Sequence, residues 1–194
     1  LGRNRDAPGR VEARAYRVHR HGARTLEFRF TEWESPARLV SVHAGDQALQ
    51  LRYDGQNRLR ALLDPAGRML RLEWDAQRRI ERVQLSARGA PDRTVAAYTY
   101  DARGDLVRFV DAYNHACTYV YDEAHRWVRR TDRTGYGFVY EYDRAGRCTY
   151  TAGEDGLLAS RHRYLPEVRM TLVTTASGGE WQYFYNEAGT VTEI

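Results

Sequence analysis

Residues 100–146 read YDARGDLVRFVDAYNHACTYVYDEAHRWVRRTDRTGYGFVYEYDRAG, and the spacing inside that stretch decides the fold. Tyr-Asp occurs at Tyr100-Asp101, Tyr121-Asp122 and Tyr142-Asp143, with 121 − 100 and 142 − 121 both giving a period of 21. A fixed period marks a repeat array. A second signal runs at half that period, because Asp-x-x-Gly or a relative of it recurs at Asp101 to Gly104, Asp111 to Asn114, Asp122 to His125, Asp132 to Gly135 and Asp143 to Gly146. This is turn chemistry. Asp at the first position accepts hydrogen bonds from backbone N–H groups two residues on. Gly or Asn at the fourth tolerates the positive φ that closes a type I turn with a bulge.

Turn starts alternate 10 and 11 residues apart, leaving six or seven residues between one turn and the next. Those are strand lengths. The connecting residues are β-branched and aromatic, as in Thr118-Tyr119-Val120-Tyr121 and Phe138-Val139-Tyr140-Glu141-Tyr142. Six residues between breakers are too few to offset helix nucleation. The expectation is an all-β antiparallel meander of hairpins.

The pattern extends outward in both directions. Tyr53-Asp54 through Asn57-Arg58-Leu59, Asp64-Pro65-Ala66-Gly67 and Trp74-Asp75 form a complete earlier unit, with 74 − 53 = 21 again. Leu49, Leu51 and Tyr53 fall on one strand face, opposite Gln50 and Arg52; Leu70, Leu72 and Trp74 likewise share a face. From Trp74 to Tyr100 the interval is 26, and the excess falls in Ser86–Arg93, whose composition reads as a loop in a longer hairpin. Downstream, Tyr164 and Tyr185 continue the period, and Asn186 to Gly189 restores the turn. Upstream, His43-Ala44-Gly45-Asp46 reads as a turn and Glu34 to Leu39 as a degenerate one. Residues 1–25 are Arg-rich and weakly patterned, with Asp6-Ala7-Pro8-Gly9 resembling a turn ahead of a lead-in strand pair. The division expected is a lead-in segment at 1–32 and the array at 33–194. Both ends stop in mid-pattern, so the chain reads as an excised piece of a longer array.

With 42% hydrophobic residues, four Trp and fourteen Tyr, the 194-residue chain should fold. The net charge is +4, and every one of its thirty basic residues is Arg. Those arginines, among them Arg58, Arg126, Arg147 and Arg169, are dispersed at solvent-phase positions and turn exits. Phosphate binding wants basic residues gathered on one face, so no nucleic-acid partner is expected. Cys117 and Cys148 lack metal or disulfide spacing and read as reduced structural thiols. No run of about eighteen apolar residues is present, so no membrane span or signal peptide is expected.

The motifs at Tyr53-Asp54 through Leu59 with Asp64 and Gly67, at Tyr100-Asp101-Ala-Arg-Gly104, and at Tyr142-Asp143-Arg-Ala-Gly146-Arg147 resemble the YD repeat, also called the RHS repeat, over about residues 33–194. Such repeats occur in bacterial Rhs polymorphic toxins, in the C subunits of insecticidal toxin complexes and in teneurins. The resemblance implies a curved sheet wound into a hollow cocoon that encloses a C-terminal toxin. Residues Gly146–Gly156 and Tyr185–Gly189 look most like Rhs effectors delivered by type VI secretion, which implies residence in the bacterial cytoplasm and then secretion in bacterial competition. Partners so implied are the rest of the shell, the enclosed toxin, and secretion-spike proteins reached through an N-terminal domain. Physical argument points the same way: about fifteen strands spaced about 4.8 Å apart make a ribbon roughly 70 Å long. Open twisted sheets of more than about ten strands curl.

A structural role is expected for the signature residues Tyr53, Asp54, Asp64, Gly67, Trp74, Asp75, Tyr100, Asp101, Gly104, Asp111, Tyr121, Asp122, Asp132, Gly135, Tyr142, Asp143, Gly146, Tyr185, Asn186 and Gly189. The aspartates recur singly on opposite sheet edges, too far apart for paired-carboxylate chemistry. No catalytic residue, metal or cofactor is assigned. Two candidates are set aside as solvated groups: His19 with His21, and Glu154-Asp155 with His162. The leading expectation is a non-enzymatic shell segment; the alternative is a carbohydrate- or cell-surface-binding module using exposed aromatics. Free sheet edges add the expectation of edge-to-edge self-association.

Overall fold

A computed structural model of the chain describes residues 15–20, 24–29 and 37–194. The turn at Asp6 to Gly9, His21 and most of the Glu34 to Leu39 turn lie outside the described residues. Seventeen strands are present among those described, and the chain divides into two compact units at Val95/Ala96.

In the first unit β1 (Ala15–Arg20), β2 (Arg24–Arg29), β3 (Arg38–Ala44), β4 (Gln47–Tyr53), β5 (Leu59–Leu63), β6 (Met69–Trp74) and β7 (Ile80–Ala87) pair in chain order, every ladder antiparallel. β8 (Ala90–Tyr100) runs through the division. In the second unit its C-terminal half pairs with β9 (Leu106–Asp111). The meander then continues through β10 (Ala116–Tyr121), β11 (Trp127–Thr131), β12 (Gly137–Tyr142), β13 (Cys148–Gly153), β14 (Ser160–Leu165), β15 (Met170–Thr175), β16 (Glu180–Tyr185) and β17 (Val191–Glu193). The all-β antiparallel meander is therefore what the chain forms, with fifteen strands from Arg38 onward beside the lead-in pair.

The reversals sit on the Asp-x-x-Gly sites. At each of these turns the first residue's carbonyl accepts the N–H of the fourth and its own N–H donates to the fifth residue's carbonyl. Asn57 N to Asp54 O is 3.0 Å and Asp54 N to Arg58 O is 2.9 Å, a pattern repeated from Asp64, Asp75, Asp101, Asp111, Asp122, Asp132, Asp143 and Asn186. The fourth residue takes a positive φ, 82° at Gly146 and 78° at Gly67. Arg78 and His125 adopt the same conformation at 66° and 60° without being glycine.

One expectation is corrected. Ser86–Arg93 is not a loop: β7 and β8 extend through it and a two-residue turn at Arg88 and Gly89 reverses the chain, so the extra residues lengthen strands. After Tyr142 the turn signature degrades: short 3-10 turns at Glu154–Gly156 and Pro166–Val168 make two of the reversals, and Thr175 opens a third.

Within each unit the layer has two faces. In the first, Val18, Leu26, Val42 and Leu49 are linked by cross-strand register, as are Leu51, Leu62, Leu70 and Leu85, which places them on one apolar face. The other carries Arg17, Glu27, Ser41 and Gln50 in one row, with Arg52, Ala61, Arg71 and Gln84 in another. In the second unit Tyr98, Phe109 and Cys117 line up across β8 to β10, and His162, Val173 and Trp181 across β14 to β16. Ala61 and Ala152 are the buried apolar residues among those described, and no large side chain there is fully buried. A leucine left half-exposed forgoes about 1 kcal/mol of burial. Among the described residues of the first unit, none forms a second layer over this apolar face.

Turn position decides what a glycine is worth. Gly146, at φ 82°, forces a β-carbon into the left-handed region, whereas Gly55 has ordinary φ and open space around it. Gly146→Ala is expected to cost about 1 kcal/mol. Gly55→Ala should be neutral or stabilise by a few tenths; urea unfolding midpoints of the two variants check this.

Candidate functional site

The group that recurs along the chain is a brace made of a turn aspartate, the arginine four residues on, and an aromatic from the next unit. Each part has a local cause. The carboxylate Oδ1 of Asp54 accepts the N–H of Gln56 and of Arg58, both at 2.9 Å, so one oxygen holds two otherwise unpaired donors of the turn. The same two-donor arrangement recurs at Asp75, Asp101, Asp111, Asp122, Asp132 and Asn186. At Asp64 and Asp143 the N–H of the fifth residue again donates to Oδ1.

Oδ2 takes an arginine. Arg58, Arg68, Arg79, Arg126 and Arg147 place Nε at 2.8, 2.6, 2.7, 2.8 and 2.7 Å from the Oδ2 of Asp54, Asp64, Asp75, Asp122 and Asp143. The guanidinium so fixed lies over an aromatic ring that arrives two strands later at the same sheet edge. Arg58 sits 5.8 Å from the Trp74 ring centre, Arg126 4.8 Å from Tyr142 and Arg147 4.5 Å from Tyr164; Arg38 and Tyr53 repeat the contact at 5.6 Å. The polar tip of the aromatic then reaches the neighbouring strand. Tyr53 Oη donates to Leu39 O at 2.8 Å, Trp74 Nε1 to Leu59 O at 3.0 Å, Tyr121 Oη to Leu106 O at 3.0 Å and Tyr164 Oη to Cys148 O at 2.7 Å. Tyr100 and Tyr185 close β8 and β16 at the corresponding positions.

These arginines stand at turn exits, as expected, but Arg58, Arg79 and Arg126 are partly covered ion-pair partners, not freely solvated groups, and Arg126 also donates to the Asp143 carbonyl of another turn. The signal was present in the sequence as Asp-x-x-x-Arg, the basic residue always at the same offset. Its significance depends on the aromatic from another unit, which only the strand pairing brings near.

The electrostatics follow from these contacts. Backbone and side-chain donation from Arg58 holds the Asp54 carboxyl below the ordinary carboxylate range, against the opposing effect of desolvation. Asp64, Asp75, Asp111, Asp122, Asp132 and Asp143 are lowered by the corresponding donors of their own turns. Burial pushes the phenols of Tyr53, Tyr142 and Tyr164 up. In Asp54, Asp64, Asp75, Asp122 and Asp143 both carboxylate oxygens are bound as acceptors; in Asp111 and Asp132 the backbone donors fall on Oδ1.

Of the groupings set aside earlier, Glu154 and His162 have separate partners. Glu154 pairs with Arg129 at 2.6 Å, while His162 is half-buried in β14, not in a solvated turn, between Ser160 Oγ at 3.0 Å and Cys148 O at 3.1 Å. The His19 side chain lies outside the described residues. Cys117 and Cys148 are free thiols. Among the described residues no set of three or more His, Cys, Asp and Glu is placed to hold a metal ion, and no helix is long and apolar enough to cross a membrane. The sequence reading overlooked a groove of about 550 Å³ between the turns at Asp111 and Asp132, with Arg130 and Arg133 beside them.

The Teneurin YD-shell family matches residues 3–141. No curated protein matches the chain by sequence. Among solved structures it is similar to the TcdB2-TccC3-Cdc42 complex, at 13% identity and a TM-score of 0.61 over 88% of this chain and 10% of that one. It is similar to TcdB2-TccC3 at 13% identity and a TM-score of 0.60 over 88% of this chain and 11% of that one. The Tc holotoxin pore of Photorhabdus luminescens matches at 11% identity and a TM-score of 0.54, over 84% and 12%. The likeness is one of fold, and the chain spans about a tenth of the length of these structures.

Because the lowered carboxyls bind protons less readily in the folded chain than the ordinary Asp value of about 3.9, the unfolded chain protonates first as pH falls. The brace contribution is therefore complete above about pH 5 and drains away below about pH 4. Urea midpoints should be flat from neutrality to that point and then drop. Asp143→Asn, which keeps the turn acceptor but loses the charge on Arg147, should lower the plateau and flatten the drop.

Proposed function

The chain belongs to the Teneurin YD-shell family, and from that premise we propose that it is a stretch of wall in a larger β-shell that encloses a toxin polypeptide. The observation that carries this reading is the apolar ladder of the first unit, Leu51, Leu62, Leu70 and Leu85, half-buried and without a second layer among the described residues of that unit. A surface of that kind needs an occupant or a facing wall. In five of the turns the carboxylate is committed to backbone and arginine donors, which supports a structural, non-enzymatic role for those residues. The twenty signature residues are assigned to structure on the same ground.

In this reading residues 33–194 are the array proper and 1–32 its lead-in. The partners are neighbouring turns of the shell, reached through free strand edges such as that of β17, and the enclosed toxin. The whole protein is made in the bacterial cytoplasm and then exported, by type VI secretion on the resemblance of residues 146–157 to Rhs repeats. The carbohydrate-binding alternative is less well supported, because Tyr53, Trp74, Tyr121 and Tyr164 spend their polar tips on backbone carbonyls. Tyr113, Trp127 and Trp181, 78%, 42% and 54% exposed, are the aromatics that keep it testable.

The decisive experiment is limited trypsinolysis of the full-length protein. The toxin segment should resist cleavage in the wild type and become cleavable in the double variant Leu62→Asp, Leu70→Asp, with the array still β-structured by circular dichroism. Equal cleavage in both proteins would overturn the shell reading. Glycan binding by the 194-residue chain that disappears in Tyr140→Ala, with folding unchanged, would favour the alternative.

A further inference from the structure

The repeated turn supplies its own internal comparison. In five turns the outward carboxylate oxygen holds the guanidinium of the arginine four residues on, at 2.6 to 2.8 Å. The turns beginning at Asp111 and Asp132 lack that arginine, since His115 and Tyr136 occupy its position. Oδ1 of Asp132 is taken by the N–H of Thr134, its hydroxyl and the N–H of Tyr136. No hydrogen-bond donor reaches its Oδ2 among the described residues. Oδ2 of Asp111 has only the His115 ring, 3.5 Å away. Tyr136 turns away to donate to Glu154 O at 2.9 Å.

These two turns are consecutive on one sheet edge of the second unit, and the groove between them is the one of about 550 Å³. At the opposite edge the equivalent gap is filled by Arg126 lying on Tyr142. The lining of the open groove holds both charges, the carboxylates of Asp111 and Asp132 and the guanidinium groups of Arg130 and Arg133, with Phe109 among its apolar residues; Arg130 is near enough to Asp132 to help hold that carboxyl ionised. Arg133 is exposed and Arg130 borders the Tyr119 phenol. A simple cation would meet the arginines and a simple anion the aspartates, so the groove suits a ligand bearing both charges.

We infer that this groove is a docking site for a polypeptide segment in which an arginine is followed by an acidic residue. The guanidinium takes the vacant outward oxygens of Asp132 and Asp111, as the chain's own arginines do elsewhere. The acidic side chain meets Arg133 and Arg130.

The test is a titration of the isotope-labelled 194-residue chain with the dipeptide N-acetyl-Arg-Asp-amide, followed through backbone amide NMR shifts. Saturable shifts at Tyr113, Thr134 and Tyr136, with Kd on the order of 1 mM, are expected. Asp132→Asn keeps the turn, because its side-chain carbonyl still accepts the same N–H groups, and should weaken binding about tenfold. Arg133→Ala, at an exposed site that contributes nothing to the ladder, should weaken it by a similar factor. Absence of saturable shifts, equal binding of N-acetyl-argininamide, equal shifts at the arginine-filled turn of Asp54, or wild-type affinity in both variants would each overturn the inference.

Discussion

A single carboxylate oxygen accepting two backbone N–H groups is the constraint from which the rest of the molecule follows. It ends one strand, sets the φ of the residue that must go left-handed, and starts the next strand in antiparallel register. Because the same oxygen pattern recurs about every half period, the strands come out with nearly equal lengths and the chain returns to the same edge once per unit. The second carboxylate oxygen then fixes an arginine, and the arginine gives the incoming aromatic a flat surface. One residue type thus links local turn geometry to the contact between units. Removing its charge loosens both.

That economy explains how a chain with so little interior holds together. Each unit is a single sheet layer in which one small alanine, Ala61 in the first and Ala152 in the second, is the buried apolar residue among those described. Stability in such a layer is a sum of nearest-neighbour terms, as in other repeat proteins. Ladder hydrogen bonds supply one part. The braces supply another, because a guanidinium stacked on a half-buried ring keeps its hydrogen bonds while covering apolar surface. The apolar face of the first unit is the complement of this arrangement: edges are finished by the chain itself, and faces are left for something else.

Where the brace is altered, the chain does something different. Asp105 stands at the position of the usual arginine in the turn from Asp101, and its carboxylate instead takes the His125 ring at 2.7 Å, tying two successive turns by another route. His125 is itself left-handed at φ 60°, a conformation that this contact helps to hold. At Asp111 and Asp132 no arginine among the described residues takes that place, and a groove lies between the two turns. Variation of one residue in the repeat therefore selects between a closed seam and an open slot, without disturbing the strands on either side.

The all-β class, the reversals and most strand limits could be read directly from the sequence, since Asp at the first turn position and Gly or Asn at the fourth act through bonds only a few residues long. Such local chemistry is written wherever its residues are adjacent. Ser86–Arg93 misled because its composition matches a loop, while pairing with β6 and across a two-residue turn made strand the better state. The work of Arg58, Arg126 and Arg147, the half-buried setting of His162 and the groove at Asp132 all depend on residues from strands that the turns bring side by side. Sequence determined where the chain must reverse, because a turn closes on itself; only the tertiary structure decided which side chains meet across those reversals, because that is set by register and by what neighbouring strands leave room for.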